Sequence, residues 1–399
     1  MKFRELFHET NGNLYPDWPK ILSIKEFRDL TTCPQSTLWH KEGHVFTHTC
    51  AVANQMVNYF HRMGWNMNDD YYIQMVSAAL CHDLGKPSST TWNEELQEYK
   101  TKSHGLAGAR ITRHLFFDEE IELRERVCAI VKNHMILHHV FDGGEVDAIK
   151  KLKKLSWNMV RVKDMNLMKY CDSMGSQNDI ETDESKMEDC IKIKELAEAL
   201  GCYETTFKYE SAFDRLKQNY GIAEDVEQVE GFKVFVLIGL PGSGKDTFIN
   251  ELKKVFNIDH IPVLCRDTIR SEIGLKGEKP QGNKAEEDKV THIFNQRMKE
   301  LCENHTNFFI NNTNLLRKYR ENFNKVILSH GGIPVYIYIE APTLEETKKR
   351  REGMIDPKVI DNMFWRMDFP EPSEYSLPII FQKQKLTVTE DDKKRKGNT

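Results

Sequence analysis

Apolar residues recur at helical spacing through the first half of the chain. Val52, Met56 and Phe60 form one stripe, Val76, Leu80 and Leu84 a second, and Leu123, Val127, Ile130 and Val131 a third. Few β-branched runs interrupt them, so about the first 210 residues are predicted to be helical. The acidic, glycine-bounded stretch YGIAEDVEQVEG (220–231) marks a boundary. Beyond it short apolar runs alternate with amphipathic segments: KVFVLI (233–238), IPVL (261–264), FFI (308–310) and IPVYIYI (333–339). Alternation of this kind predicts a parallel sheet with crossover helices. The expected organisation is an all-α domain over 1–222, a linker over 223–230, an α/β domain over 231–382 and a charged, mobile tail over 383–399. No internal repeat is visible.

Composition narrows the class. With 399 residues, 39% hydrophobic and 29% charged, the chain is of ordinary globular make-up and has room for two or three domains. Mean hydropathy is −0.59, and no run is apolar enough to predict a membrane span. The start, MKFRELFHET, has no apolar core and is not expected to act as a secretory signal. Nine dispersed cysteines without a CxxC pair predict buried thiols in a reducing cytoplasm. Residues 231–399 hold 28 basic and 24 acidic residues, net +4, which leaves 28 and 37 of the totals of 56 and 61 for residues 1–230, net −9. The acidic half suits metal cations and the basic half phosphate-bearing ligands.

GLPGSGKDT (239–247) follows one apolar run directly and precedes FINELKKVF. Strand, glycine loop and helix form the context in which GxxxxGK cradles phosphates. Gly239, Gly242, Ser243 and Gly244 would wrap phosphate oxygens with backbone N–H groups at a helix N-terminus. Lys245 would reach the β- and γ-phosphates. The residue after the lysine is usually Ser or Thr, a Mg²⁺ ligand; here it is Asp246, with Thr247 next. Either could supply the oxygen. Asp267 and Arg270 share a helical face in CRDTIRSEIG. Asp267 could take a proton from an attacking hydroxyl and Arg270 hold an acceptor phosphate, or Asp267 could simply cap the helix. KKRREG (348–353) is either a solvated face or an arginine-bearing lid.

Together GLPGSGKD, Arg266-Asp267-Thr268-Ile269-Arg270, Asn312-Thr313-Asn314 and Arg350/Arg351 with Pro357 downstream resemble the kinase domain of bacteriophage-type polynucleotide 5′-kinases. Asn312 stands where that family often has aspartate. The resemblance implies Asp267 as general base toward a 5′-hydroxyl, Arg270, Thr313 and Asn314 at the acceptor strand, Arg351 as lid arginine, and ATP with Mg²⁺ as cofactors.

Histidines cluster in the first half. His48 opens an amphipathic segment, His82 and Asp83 end another, His104 begins a third, His134 extends the Leu123 stripe, and Asp172 continues the face of Met165 and Met168. Buried polar groups on core-facing sides need partners, and one metal satisfies several at once. The order H…HD…H…H…D resembles the HD phosphohydrolase superfamily, and HKEGHVFTHT (40–49) resembles the phrase of HD domains in tRNA nucleotidyltransferases, with His44 where aspartate is usual. The resemblance implies His48, His82, Asp83 and Asp172 as ligands to a divalent transition metal (Ni, Co, Mn, Zn or Cu). It implies His104 and His134 as phosphate-facing groups or ligands to a second metal, and Lys86 as a phosphoryl stabiliser. His40 and His44 are outer candidates.

The two-module layout is similar to bacterial HD-phosphohydrolase/polynucleotide-kinase fusions. That implies a cytoplasmic enzyme healing RNA or DNA ends, removing 2′-, 3′- or 2′,3′-cyclic phosphate and phosphorylating the 5′-OH for a ligase. A groove able to admit a strand, with basic residues such as Arg317, Lys318 and Arg320 along it, would set this reading apart from a small-molecule enzyme. Two other readings stay open: an HD nucleotidase fused to a nucleoside-type kinase, and a nucleotide sensor without turnover.

Overall fold

The computed structural model describes residues 1–275, 283–371, 374 and 380–383. Two compact units divide after Lys208: Met1–Lys208 and Tyr209–Thr399. The division precedes the acidic 223–230 segment, so the helix Ala212–Tyr220 belongs to the second unit. Of the expected tail, 384–399 lie outside the described residues.

The first unit is a helical bundle built around α1 (Val45–Arg62), α2 (Asp70–Cys81), α3 (His104–Leu115), α4 (Ile121–Asn133) and α5 (Val162–Gly175). Two antiparallel hairpins, β1 (Phe7–Thr10) with β2 (Asn13–Pro16) and β3 (Thr90–Asn93) with β4 (Glu98–Thr101), are additions to the helical expectation. In α1 the buried residues Val45, His48, Thr49, Val52, Ala53, Met56, Val57 and Phe60 trace one face. In α2 every residue from Tyr72 to Cys81 is buried. A helix apolar all round belongs in the centre, and α1 and α4 pack against it. Asp69 caps it by accepting from the Tyr72 N–H, and His82 closes it.

α3 and α4 are locked by a buried ion cluster. Glu125 on α4 accepts from Arg113 Nη2 of α3 at 2.6 Å and from Arg124 Nε at 2.9 Å. Burial opposes charge on Glu125, yet the two guanidiniums hold its carboxyl below the usual range. Gly85 sets the distance from α2 to α3: a Cβ there would lie 2.0 Å from the His104 carbonyl oxygen, far inside contact distance.

The second unit carries α6 (Ala212–Tyr220) on one side, where Phe213 and Leu216 pack on Leu328. Its five-stranded sheet has the order β6 (Val263–Leu264), β7 (Phe308–Asn311), β5 (Lys233–Ile238), β8 (Ile333–Glu340), β9 (Ile380–Lys383), and every pair is parallel. Central β5 and β8 are near-continuous apolar runs, as a sheet covered on both faces requires. The connecting helices are α7 (Lys245–Phe256), α8 (Arg266–Glu272), α9 (Lys284–Glu303), α10 (Arg317–Ser329), α11 (Leu344–Lys349) and α12 (Pro357–Trp365). The apolar run expected over 261–264 forms a strand only at Val263–Leu264, and Lys383, expected to begin the tail, is the last residue of β9.

Arg320 is not a groove residue. It is fully buried, pairs with Glu374 through Nε (2.8 Å) and Nη2 (3.1 Å), and donates Nη1 to the carbonyls of Asn314 and Leu315. Arg317 pairs with Glu321 and Glu371, while Lys318 stays exposed.

Removing one member of a buried ion cluster strands the others, at about 3–5 kcal/mol. Glu125→Ala is therefore expected to lower the melting temperature of the first unit well beyond the effect of the exposed control Glu122→Ala. Calorimetry of the two variants checks this.

Candidate functional site

Two sites emerge, one in each unit. In the first, the end of buried α2 delivers His82 and Asp83 to the centre, each 1% exposed. His82 Nδ1 donates to the Ala79 carbonyl at 2.8 Å. A carbonyl only accepts, so Nδ1 carries a hydrogen and, in the neutral ring, Nε2 holds the lone pair; that atom is buried with no hydrogen-bond partner among the described residues. Around it stand Asp83 Oδ2 at 3.2 Å and Asp172 Oδ1 at 3.8 Å. α1 brings His48, whose Nε2 is 2.9 Å from Asp172 Oδ1 and 3.9 Å from Asp83 Oδ2.

His104, from the first turn of α3, and His134, which opens a short 3₁₀ turn after α4, close the other side. Their Nε2 atoms are 3.0 Å apart, at 3.4 and 4.0 Å from Asp83 Oδ1. His134 Nδ1 donates to the Val131 carbonyl at 2.7 Å. Lys86 Nζ lies 2.8 Å from Asp83 Oδ2 and 2.8 Å from Gln35 Oε1. All six histidines and aspartates marked in the sequence thus converge, with Lys86 beside them.

Three participants carried no helical signal. Glu42 Oε1 lies 2.9 Å from His40 Nδ1 and 3.0 Å from His48 Nδ1, and Glu42 Oε2 accepts from the Gln177 N–H. His138 Nε2 lies 3.1 Å from Asp172 Oδ2. Gln35 anchors Lys86. Glu42 stands inside the quoted HKEGHVFTHT phrase, which was its one available signal. His40 is half-buried beside His48, whereas His44 is exposed at the N-cap of α1 and takes no part.

The electrostatics favour a cation. With Lys86 and a protonated His48 set against Asp83, Asp172 and Glu42, the buried cluster keeps one uncompensated negative charge. Like charges 4 Å apart cost on the order of 4 kcal/mol at an effective dielectric of about 20. Burial opposes charge on Asp83, but His82 and Lys86 hold it well below the ordinary carboxylate range; His138 and His48 do the same for Asp172. Burial, with His104 and His82, pushes His134 down to about 3, so it stays neutral. Burial opposes a proton on His48 too, yet Asp172 and Glu42 raise it to about 9. Ligating atoms of His48, His82 and Asp83 lie within 4.8 Å of one another, as do those of Asp83, His104 and His134. These two triads share Asp83, and the donors fit a divalent metal, with imidazole suiting borderline transition ions. The cluster opens into a cavity of about 680 Å³.

In the second unit the glycine loop leaves the tip of β5. Gly242 has φ +81°, and a Cβ there would meet the Thr347 carbonyl at 2.9 Å and Arg351 Cγ at 3.1 Å. The basic segment after α11 therefore lies over the loop. Arg350 Nη1 donates to the Gly242 carbonyl at 3.2 Å, and Nε to Glu346 at 3.0 Å. Lys245 Nζ donates to the carbonyls of Gly239 and Leu240 at 3.0 and 2.9 Å. Burial pushes it down to about 8, against the field of Asp246. Arg351 and Asp267 also lie close enough to act on it. Ser243 is buried in the loop and Thr247 exposed on the first turn of α7.

Asp246 turns toward the sheet: its Oδ1 accepts from Asn311 Nδ2, at the tip of β7, at 2.6 Å. Asp267 is no cap; Cys265 holds the N-cap position of α8, and the Asp267 carboxylate pairs with Arg270. Arg270 in turn is held by Glu287 through Nε at 2.7 Å and Nη2 at 3.0 Å. Three of its five N–H donors thus meet carboxylates, which sets the orientation of the guanidinium. Asn314 is buried, with Nδ2 donating to the Leu237 carbonyl at 2.7 Å, and braces β5. Thr313 is half-buried beside the loop, its carbonyl accepting from the Gly239 N–H at 3.1 Å. Asn312 Oδ1 accepts from the Arg266 N–H.

Residues 45–164 match the family model of the HD domain, and residues 234–367 that of the AAA domain. The chain thus joins an HD domain to a P-loop domain of kinase-like α/β fold. No curated protein matches it. Among solved structures, a candidate kinase from Chloroflexus aurantiacus J-10-fl is 12% identical, with a TM-score of 0.31, over 44% of this chain and 97% of that one. No helix among the described residues is long and apolar enough to cross a membrane.

Metal binding must displace the proton that His48 holds up to about pH 9. Apparent affinity for Mn²⁺ or Co²⁺ should therefore rise with pH to about 9 and fall on the acid side, while His82→Ala lowers it at every pH. Calorimetric titration across pH checks both.

Proposed function

We propose that the chain is an end-healing enzyme for broken nucleic acid. The first unit would remove a 2′-, 3′- or 2′,3′-cyclic phosphate, and the second would phosphorylate a 5′-OH from ATP. The observation that carries the kinase half is the glycine loop itself, where Lys245 Nζ meets the loop carbonyls and Arg351 Cγ lies 3.1 Å from the place of a Gly242 Cβ, with Asp267 on the helix that follows β6. A carboxylate 59% exposed, held by an arginine that Glu287 fixes, suits a general base for a hydroxyl arriving from solvent. A nucleotide sensor has no need of one.

On this reading Lys245 exchanges its loop carbonyls for ATP phosphates, and Arg351 covers the transferring group, where negative charge grows. Asp246 or Thr247 offers an oxygen to Mg²⁺, and Asn311 keeps the Asp246 carboxylate turned inward. Asp267 takes the hydroxyl proton. In the first unit His48, His82, Asp83 and Asp172 would hold the metal. When bound, the cation activates water and clamps the phosphoryl group. Lys86 faces the same cavity and stabilises the phosphoryl oxygens, with His104 and His134 lining the far wall. The products are ends that a polynucleotide ligase accepts. Nine free cysteines support a reducing, cytoplasmic setting.

The test is transfer of labelled γ-phosphate to a 5′-OH oligonucleotide bearing a 3′-terminal 2′-phosphate. Lys245→Ala should abolish transfer and Asp267→Ala lower it by roughly 10²-fold. Asp83→Ala should remove phosphate release alone. Transfer to nucleosides but not to oligonucleotides would favour a small-molecule kinase instead.

A Mg²⁺ titration addresses the loop. Asp246→Ala should raise the Mg²⁺ needed for half-maximal transfer, and Asp246→Ser should restore most of it. A midpoint moved only by Thr247→Ala would assign the metal to the threonine.

A further inference from the structure

The cavity over the His/Asp cluster has one wall the chemistry does not use. The turn 36–40 and the β3–β4 hairpin form it, and both contribute aromatic rings: Trp39 is 43% exposed and Tyr99 37%. Trp92 faces Tyr99 across the hairpin, edge to face, with centroids 4.9 Å apart, and is itself 43% exposed. The two segments are tied together, since Ser36 Oγ donates to Glu98 Oε2 at 2.9 Å. Single exposed apolar side chains are ordinary. Three large rings gathered on linked segments, two of them on the wall of a phosphate-sized cluster, are not explained by core packing.

The charge of the wall narrows what these rings could meet. Among the described residues lining the cavity, the ammonium groups are Lys86, at the cluster, and Lys100, which pairs with Glu98 at 3.4 Å. The described residues of this lining form no cationic track for a long phosphate backbone. A cavity of about 680 Å³ falls in the range of small-ligand pockets, roughly 300–1,000 Å³. Flat, partly exposed rings beside a site for one phosphoryl group fit a planar heterocycle attached to that group.

We propose that Trp39 and Tyr99 stack on the terminal base of the strand whose phosphate reaches the His/Asp cluster, with Trp92 steadying Tyr99. The inference rests on the phosphohydrolase reading of that cluster and adds that substrate choice is made by base stacking at a single terminal nucleotide. Stacking on an aromatic face is tolerant of base identity, so the site selects nucleotides over other phosphoesters without selecting a sequence.

The experiment compares, with Mn²⁺ or Ni²⁺, release of phosphate from an oligonucleotide ending in a 2′-phosphate, from the same oligonucleotide lacking its terminal base, and from glycerol 2-phosphate. Trp39→Ala and Tyr99→Ala should each raise KM for the intact oligonucleotide roughly 5- to 100-fold, the range for loss of one base stack, with kcat changed by at most about twofold on the same basis. KM for glycerol 2-phosphate should move far less, and Tyr99→Phe should behave as the parent. Removing the base should raise the parent's KM by a similar factor, with Tyr99→Ala adding little more. Equal KM values for the intact and base-free strands, or alanine variants that shift all three substrates alike, would overturn the stacking surface while leaving the hydrolase in place. A parent that releases phosphate from none of the three would overturn the hydrolase reading and the stacking surface with it.

Discussion

Asp83 is a carboxylate at the end of a helix buried on every side, and the first unit is organised around keeping it charged there. Burial alone would protonate it; His82 and Lys86 reverse that. Lys86 is then held by Gln35, His82 by the Ala79 carbonyl, and Asp172 by His48 and His138. These partners come from the loop before α1, from α2 itself, from α1 and from the 3₁₀ turn after α4, so several elements serve one local charge balance. That balance remains short of positive charge, and this deficit is the physical basis for metal binding.

The second unit meets a similar demand with backbone. Its loop has to present N–H groups to an anion and still stay folded. Lys245 and Arg350 meanwhile occupy the loop carbonyls, Asn314 braces the strand beneath, and Asn311 orients Asp246. A run of three neighbouring residues after β7 thus works mainly on the loop and strands: Asn312 on Arg266, Thr313 on Gly239 and Asn314 on Leu237.

The sequence disclosed what periodicity and motif spacing can carry. His48, His82, His104, His134 and Asp172 lie on stripes of helical spacing or at their ends, so one face could be read from each. The glycine loop lies between a six-residue apolar run and an amphipathic segment, and its context was equally plain. Glu42 and His138 fall in a loop and a 3₁₀ turn, where no period marks a direction. The four-residue strands of the β3–β4 hairpin are too short and too mixed to alternate. Arg320 looked like surface charge because its partner, Glu374, is 54 positions away. The pairing of Arg270 with Glu287, 17 positions on, was hidden for the same reason. The division after Lys208 escaped notice because α6 has the helical pattern of the preceding unit while its apolar side chains serve α10.

Gly85 gives the hydrolytic cavity unequal walls. The peptide plane of the turn lies against the first turn of α3, with no side chain between to act as a cushion. Backbone pressed on backbone leaves little room for α3 to swing, and the Arg113–Glu125–Arg124 cluster fastens its far end to α4. The opposite rim is two four-residue strands joined by a turn that includes exposed Leu96. The two walls are therefore held differently: backbone contact and a buried ion cluster stand behind His104, while the rim bearing Tyr99 rests on hairpin pairing and the Ser36–Glu98 hydrogen bond. Substitutions would be felt just as unevenly, with the smallest possible side chain enforced at position 85 and wide latitude at the tip of the hairpin.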